Sequence, residues 1–261
     1  MILRRIIEQV KAQNWTAVAI DFFIVVFGVF IGTQVSNWND AQANQRRGAE
    51  FADQLRDDLR TEAWSYARLV EYNRDVLTAA QRAARALEGD EAISDEALLI
   101  NAFVATQYIN HQRSNATYEE LTSTGAMGLI EDRSLRDLAT LVYTTPVFAD
   151  VVQEGSRSAY RERFRMILPN DVQNALAANC GDRFGARGDY QRIQDMIGYP
   201  CETGLAPGLI AEAARRIRND QTLHLELRRR IADIQTRIAD LTSNNTNIRD
   251  GLNALSEEVA Q

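Results

Sequence analysis

The sequence predicts an all-α protein: one N-terminal apolar helix continuing into a long helix, a small helical middle region, and a C-terminal coiled-coil helix. Three observations carry this. Residues 15–35 form a mostly apolar run with one charged residue, Asp21, and no proline. Beyond it, apolar residues recur every three or four positions between Phe51 and Leu87, and again between Leu227 and Val259. No stretch of convincing length alternates apolar and polar residues as a half-buried strand does.

The 21 residues from Trp15 to Val35 reach about 30 Å at 1.5 Å per residue, the thickness of a bilayer core. Trp15 and Trp38 stand at the two ends, where indole rings favour the interface, so the span is read as residues 15–38. Residues 1–14 place Ile2, Leu3, Ile6, Ile7 and Val10 on one side among Arg4, Arg5 and Lys11, the pattern of a segment lying along a membrane surface. A cleaved signal peptide needs a small-residue site close behind the apolar core. The match at Ala41-Gln42-Ala43 is too far downstream and follows Trp38 and Asp40. The run is also longer than a buried helix of a water-soluble protein needs. An uncleaved single-pass anchor is the expectation.

Arg4, Arg5, Lys11 and the amino terminus precede the span, and Arg46 and Arg47 follow it. This bias predicts a cytoplasmic N-terminus and a C-terminal domain outside the cytoplasm. Lys11 is the one lysine among 29 basic residues, a bias towards arginine that points to a GC-rich bacterial genome. Together these place the chain in a bacterial inner membrane with its domain in the periplasm. Cys180 and Cys201 suit that compartment as a disulfide, with two buried thiols as the alternative.

Counted from Asp21 at about 100° per residue, Val25, Gly28, Gly32, Val35 and Ser36 all lie within about 60° of it. Gly28, Gly32 and Ser36 form a small-residue ridge that admits a second helix, and Asp21 on that ridge is costly in lipid unless paired or wetted. The face is therefore a candidate helix contact with a second copy or another membrane protein. The competing reading leaves Asp21 at headgroup level and the glycines as filler.

The long helix, residues 39–90, carries Phe51, Leu55, Leu59, Ala63, Tyr66, Leu69, Tyr72, Val76, Ala80, Ala84 and Leu87 on its apolar side and ends at Gly89. In the middle region, residues 91–206, Ser94 opens a helix to about Tyr108, and Thr117-Tyr-Glu-Glu120 matches a capping box for a short helix ending near Gly125. Ser134 opens another, broken at Pro146, and a further helix runs to about Ile167. Residues 169–206, rich in Gly, Asp and Asn and holding both cysteines, read as the least regular part. In the last segment, residues 207–261, Leu227, Ile231, Ile234, Ile238, Leu241, Ile248, Leu252, Leu255 and Val259 alternate four and three around Asn245. That is a heptad seam with Asn245 at an a-type position, pairing either antiparallel within the chain or across a dimer.

The run Gly32-Thr-Gln-Val-Ser-Asn-Trp-Asn-Asp40, directly after an apolar helix with one acid, resembles an uncharacterised bacterial family of small N-terminally anchored single-pass membrane proteins. That family carries an acid early in the span, a Gln-Ile/Val-x-Asn-Trp-Asn exit and a long charged helix. Asp21, Gln34, Val35, Asn37, Trp38 and Asn39 match, with Asp21 where the family more often has Glu. The stretch from Thr117 to Gly125 is similar to the family's Tyr-Glu-x-Leu-x-Ser-x-Gly segment, followed by Leu129, Ile130 and Leu135-Arg-Asp-Leu138. With the long charged helix included, the resemblance covers about a third of the chain. The resemblance implies the topology and brings no chemistry.

A net charge of −7, which becomes more negative once the first 39 residues are set aside, argues against nucleic acid as a partner. His111 and His224 lack metal-ligand spacing, and no phosphate loop, nucleophile elbow or zinc-protease motif is present. The reading is a non-enzyme without cofactor or metal. The acidic pairs Asp57-Asp58 and Glu119-Glu120 read as solvated faces. Tyr108, His111, Arg113, Asn115, Tyr118 and Glu119, around a loop-to-helix start, form the candidate recognition surface; a capped turn packed on the long helix is the plainer alternative. The expected function is a membrane-anchored extracytoplasmic interaction or scaffold protein that oligomerises through anchor and coiled coil. The alternative is an extracytoplasmic ligand-binding or sensor-like helical domain acting with a membrane partner.

Overall fold

The computed structural model describes residues 15–111 and 113–259, so the expected interfacial segment 1–14 lies outside the described residues. The fold is all-helical, a long apolar N-terminal helix running into a small helical bundle. Helix α1, Trp15–Glu88, is unbroken through both the expected span and the expected long helix. No proline or positive-φ residue interrupts it, and Gly89 with φ +88° turns the chain out at its end.

The two ends of α1 live in different surroundings. Residues 19–47 are exposed throughout, and burial begins at Gly48. There the Leu129 carbonyl packs so close that a Cβ would overlap it. From that point α1 is the spine of the bundle. Leu55, Leu59, Ala63, Tyr66, Leu69, Tyr72, Val76 and Ala80 are buried as their spacing predicts.

Helix α2, Asp95–Val104, is capped by Ser94, whose hydroxyl accepts from the Ala97 N–H at 3.1 Å. It ends four residues short of Tyr108, and the chain then runs irregularly along α1 to α3, Ala116–Thr124. The expected capping box is not formed. Thr117 lies inside α3 and its N–H donates to Asp58 of α1 at 3.2 Å, so the cap comes from a neighbouring helix. Gly125, with φ +71°, closes α3 as expected. Helix α4, Arg133–Thr144, starts one residue before Ser134 because Asp132 takes the cap, accepting from the Leu135 N–H. Pro146 separates it from α5, Val147–Ser156, and α6, Ala159–Ile167, follows.

The segment read as least regular holds a full helix, α7, Asn170–Cys180, and a 3-10 turn at Tyr190–Asp195. Its Asn and Asp content reads as loop, but Val172, Leu176 and Cys180, spaced by four, are buried and outweigh that local preference. Cys180 and Cys201 are joined as a disulfide, with Cα atoms 5.6 Å apart, tying the end of α7 to the segment that precedes α8, Pro207–Asn219.

The C-terminal stretch is three helical pieces rather than one helix: α8, then α9, Gln221–Ala239, and α10, Thr246–Val259, with a π turn at Asp240–Asn244. Asn245 ends the π turn, its amide donating to the Asp240 carbonyl at 2.8 Å, so it faces no second helix as an a-position residue would. Helices α9 and α10 run antiparallel to α1. Arg228 pairs with Glu88, Tyr66 donates to the Leu241 carbonyl at 2.7 Å, and Leu227, Ile234, Leu241, Ile248 and Leu252 enter the core against α1 within the same chain.

Candidate functional site

Asp58 and Glu62 lie one turn apart on α1 and therefore on one side of it. That side meets the irregular segment between α2 and α3. Glu62 is fully buried and is held by three groups from that segment: the Ser114 N–H donates to one carboxylate oxygen at 2.6 Å, while His111 Nε2 at 3.0 Å and Arg113 Nε at 3.3 Å meet the other. The Arg113 contact is an ion pair whose N–H is not aimed at the carboxylate. Asp58 accepts from the Ser114 hydroxyl at 3.0 Å and from the Thr117 N–H.

Aromatic rings close the cluster. His111 stacks nearly parallel on Phe148 with centroids 5.0 Å apart, and Arg113 lies 4.8 Å over Phe148 and 5.3 Å over Tyr143. Arg113 also donates to the Val142 carbonyl at 2.7 Å, and Tyr143 to the Ser114 carbonyl at 2.6 Å. Burial raises the Glu62 pKa, but the His111 hydrogen bond and charge, the Ser114 N–H and Arg113 together hold it below the ordinary carboxylate range. The Tyr143 hydroxyl is pushed up by burial and by the Glu62 and Asp58 charges, so it acts only as a donor.

Of the six residues read as a recognition surface, the structure gathers His111, Arg113 and Tyr118 around this cluster, Tyr118 through its ring contact with Tyr143 at 4.9 Å. Asn115 donates to the exposed Glu119 beside it. Tyr108 lies apart, under the Arg161 guanidinium and against Gly155. The histidine side chain is 2% exposed and Glu62 0%, so no substrate reaches the pair, and Ser114 bonds to Asp58 rather than to His111. The arrangement is a buried latch that pins the α2–α3 segment to α1. The sequence reading passed over Glu62 and took Asp58, with Asp57, as a solvated face. Asp57 is exposed, but Asp58 is half-buried and bonded to the α2–α3 segment, and the spacing of four between Asp58 and Glu62 was a readable signal. Among the described residues no three His, Cys, Asp or Glu side chains are grouped to hold a metal ion, and His224 bonds to the Ile217 carbonyl.

Two other features are open. On the exposed half of α1, Asp21, Val25, Gly28, Gly32 and Ser36 make no contact with the bundle, and a Cβ at either glycine meets nothing within 4 Å. Between α5, the start of α6 and α9 lies a polar cleft of about 440 Å³. Arg230, 3% exposed, lines it and donates to the Ala105 and Gln107 carbonyls, with no carboxylate at ion-pair distance among the described residues. Burial lowers its pKa, and the Glu154 and Asp233 charges work against that shift from farther off.

The class these features define is an all-helical bundle on a long, apolar N-terminal helix. No protein-family profile, curated protein or solved structure matches the chain.

Proposed function

We propose that this protein is a membrane-anchored extracytoplasmic interaction protein of a bacterial inner membrane, with residues 15–38 as its single span. The observation that carries the reading is the exposed half of α1. An 18-residue window of mean hydropathy 1.9 is wholly unburied, with Phe22, Phe23, Ile24, Phe27, Phe30 and Ile31 all more than half exposed. A patch of that size is untenable in water and suits lipid. The exposed residues 39–47 then hold the bundle about 14 Å from the span exit. The flanking cations favour a cytoplasmic N-terminus, and the Cys180–Cys201 bond favours an oxidising periplasm for the bundle. The resemblance to small anchored bacterial proteins supports the same topology.

The contact face is Asp21, Val25, Gly28, Gly32 and Ser36, with a second copy of this chain or another membrane protein as partner. The apolar side chains of the C-terminal seam are buried against α1 within the chain, so assembly is assigned to the anchor. Crosslinking of the full chain in native membranes tests this. Oligomer bands are expected for the wild type and altered bands for Gly28→Leu and Asp21→Leu. A monomer in the wild type and in both variants overturns it.

A second reading, a ligand-binding or sensor-like head working with a membrane partner, draws support from the polar cleft beside Arg230. The anchored, continuous α1 would link such a head to the partner's span.

A further inference from the structure

Burying a guanidinium without a counter-ion costs several kcal/mol, because arginine does not shed its proton to escape the cost. Arg230, at the wall of the cleft, has no carboxylate in direct contact: it is held by two backbone carbonyls behind that wall, and Glu154 and Asp233 act on it only from farther off. Arg157, at the α5–α6 joint, lines the same cleft and has no partner among the described residues. The first turn of the nine-residue α6 also opens there, and the Ser158 side chain makes no cap bond to it. Free first-turn N–H groups and the helix dipole favour an anion. Three features thus favour negative charge on one side of a cleft whose own Glu154 and Asp233 are paired with Arg237 and Arg229.

The opposite sign is wanted a turn away. Glu226 precedes Arg230 by four residues on α9 and so sits beside it on the same face. Its Oε2 is shut off from solvent and has no donor. Asp233 and Asp150 line the cleft nearby. Glu226 is half-buried, and an enclosed oxygen without a donor carries a cost of its own. The cavity volume falls in the range of small-molecule sites.

We propose that this cleft binds an amino-acid-like zwitterion, its carboxylate held by Arg230, Arg157 and the first turn of α6, its ammonium by Glu226. The proposal rests on the second, ligand-binding reading above and is independent of the anchor contact.

The experiment is thermal unfolding of the full-length protein in detergent micelles, titrated with free L-amino acids. Acetate and methylammonium, each carrying half of the ligand, are titrated in parallel. Expected are a saturable rise in melting midpoint with at least one amino acid, none with either half alone, and affinity weakened tenfold or more by Arg157→Ala and by Glu226→Gln. Arg157 is exposed, so its variant folds; Arg230→Lys adds a conservative test at the buried position and is expected to weaken binding without abolishing it. Acetate binding as well as any amino acid, with Glu226→Gln silent, overturns the zwitterion. Stabilisation that ignores both cleft variants overturns this site and leaves the ligand-binding reading standing. No response to any compound overturns both.

Discussion

Glu62 is the residue on which the α2–α3 segment turns. It is a buried carboxylate that satisfies one backbone N–H, one imidazole and one guanidinium at once, and each of those groups would be left stranded without it. Breaking a buried pair by removing one partner costs about 3 kcal/mol or more. Glu62→Gln is therefore expected to lower unfolding stability by about 3 kcal/mol, measured by denaturant titration, while the exposed Asp57→Asn stays within about 0.5 kcal/mol. The pH dependence has a definite sign. The folded Glu62 value lies below its ordinary 4.5, so its stabilisation is complete above that pH and is lost as pH falls through the lower folded value. Asp75 acts in the opposite sense: burial and the Glu71 charge push it up to about 6, so the folded state loses stability as pH rises from about 4 through 6. Asp75→Asn is expected to raise the melting midpoint at pH 7 and leave it unchanged near pH 3.5. Neither acid stood out in the sequence, because a carboxylate between apolar positions on a helix reads as solvated. Each is covered by a different neighbour, Glu62 by the α2–α3 segment and Asp75 by the stretch around Gly198. Arg230 escaped notice for the same reason, since arginine beside a heptad position normally reaches water.

At the scale of elements, the periodic ones were legible and the irregular ones were not. The spine of α1 from Leu55 to Ala80 follows its three-and-four spacing, and Ser94, Gly89 and Gly125 end or begin helices where their backbone chemistry says they should. Local signals misled where a neighbour supplied what the chain was expected to supply itself. Asp58 caps α3 in place of Thr117, and the core recruits α7 from a stretch whose composition favours loop. The Cys180–Cys201 bond closes a loop of sequence separation 21 across that stretch. In the chain-entropy account such a loop is worth about 3 kcal/mol. Reduction with dithiothreitol is expected to lower stability by about that amount, and Cys180→Ala with Cys201→Ala to match it. Equal stability before and after reduction would show that the packing of α7 on α2 suffices alone.

For the whole molecule, the organising fact is that one helix joins an exposed apolar stretch to a buried spine. From Ile20 to Val35 its exposed side chains are mostly apolar, and from Gly48 onwards it is the spine against which α9 and α10 return. The proposed topology turns on which side of a membrane the bundle occupies. With both native cysteines bonded to each other, a single Asn44→Cys in the exposed stretch is a clean reporter. Labelling of intact cells by a membrane-impermeant maleimide is expected at position 44, and protection there until the inner membrane is opened would reverse the orientation. The sequence by itself determined the fold class, the apolar helix and its small-residue face, because period and length are properties of consecutive residues and need no partner. The tertiary structure alone decided that the C-terminal seam is spent on α1, that Glu62 and His111 are a latch, and that Arg230, Arg157 and Glu226 share a cleft. Those outcomes depend on which elements meet, and burial of a charged side chain is decided by the neighbour that covers it.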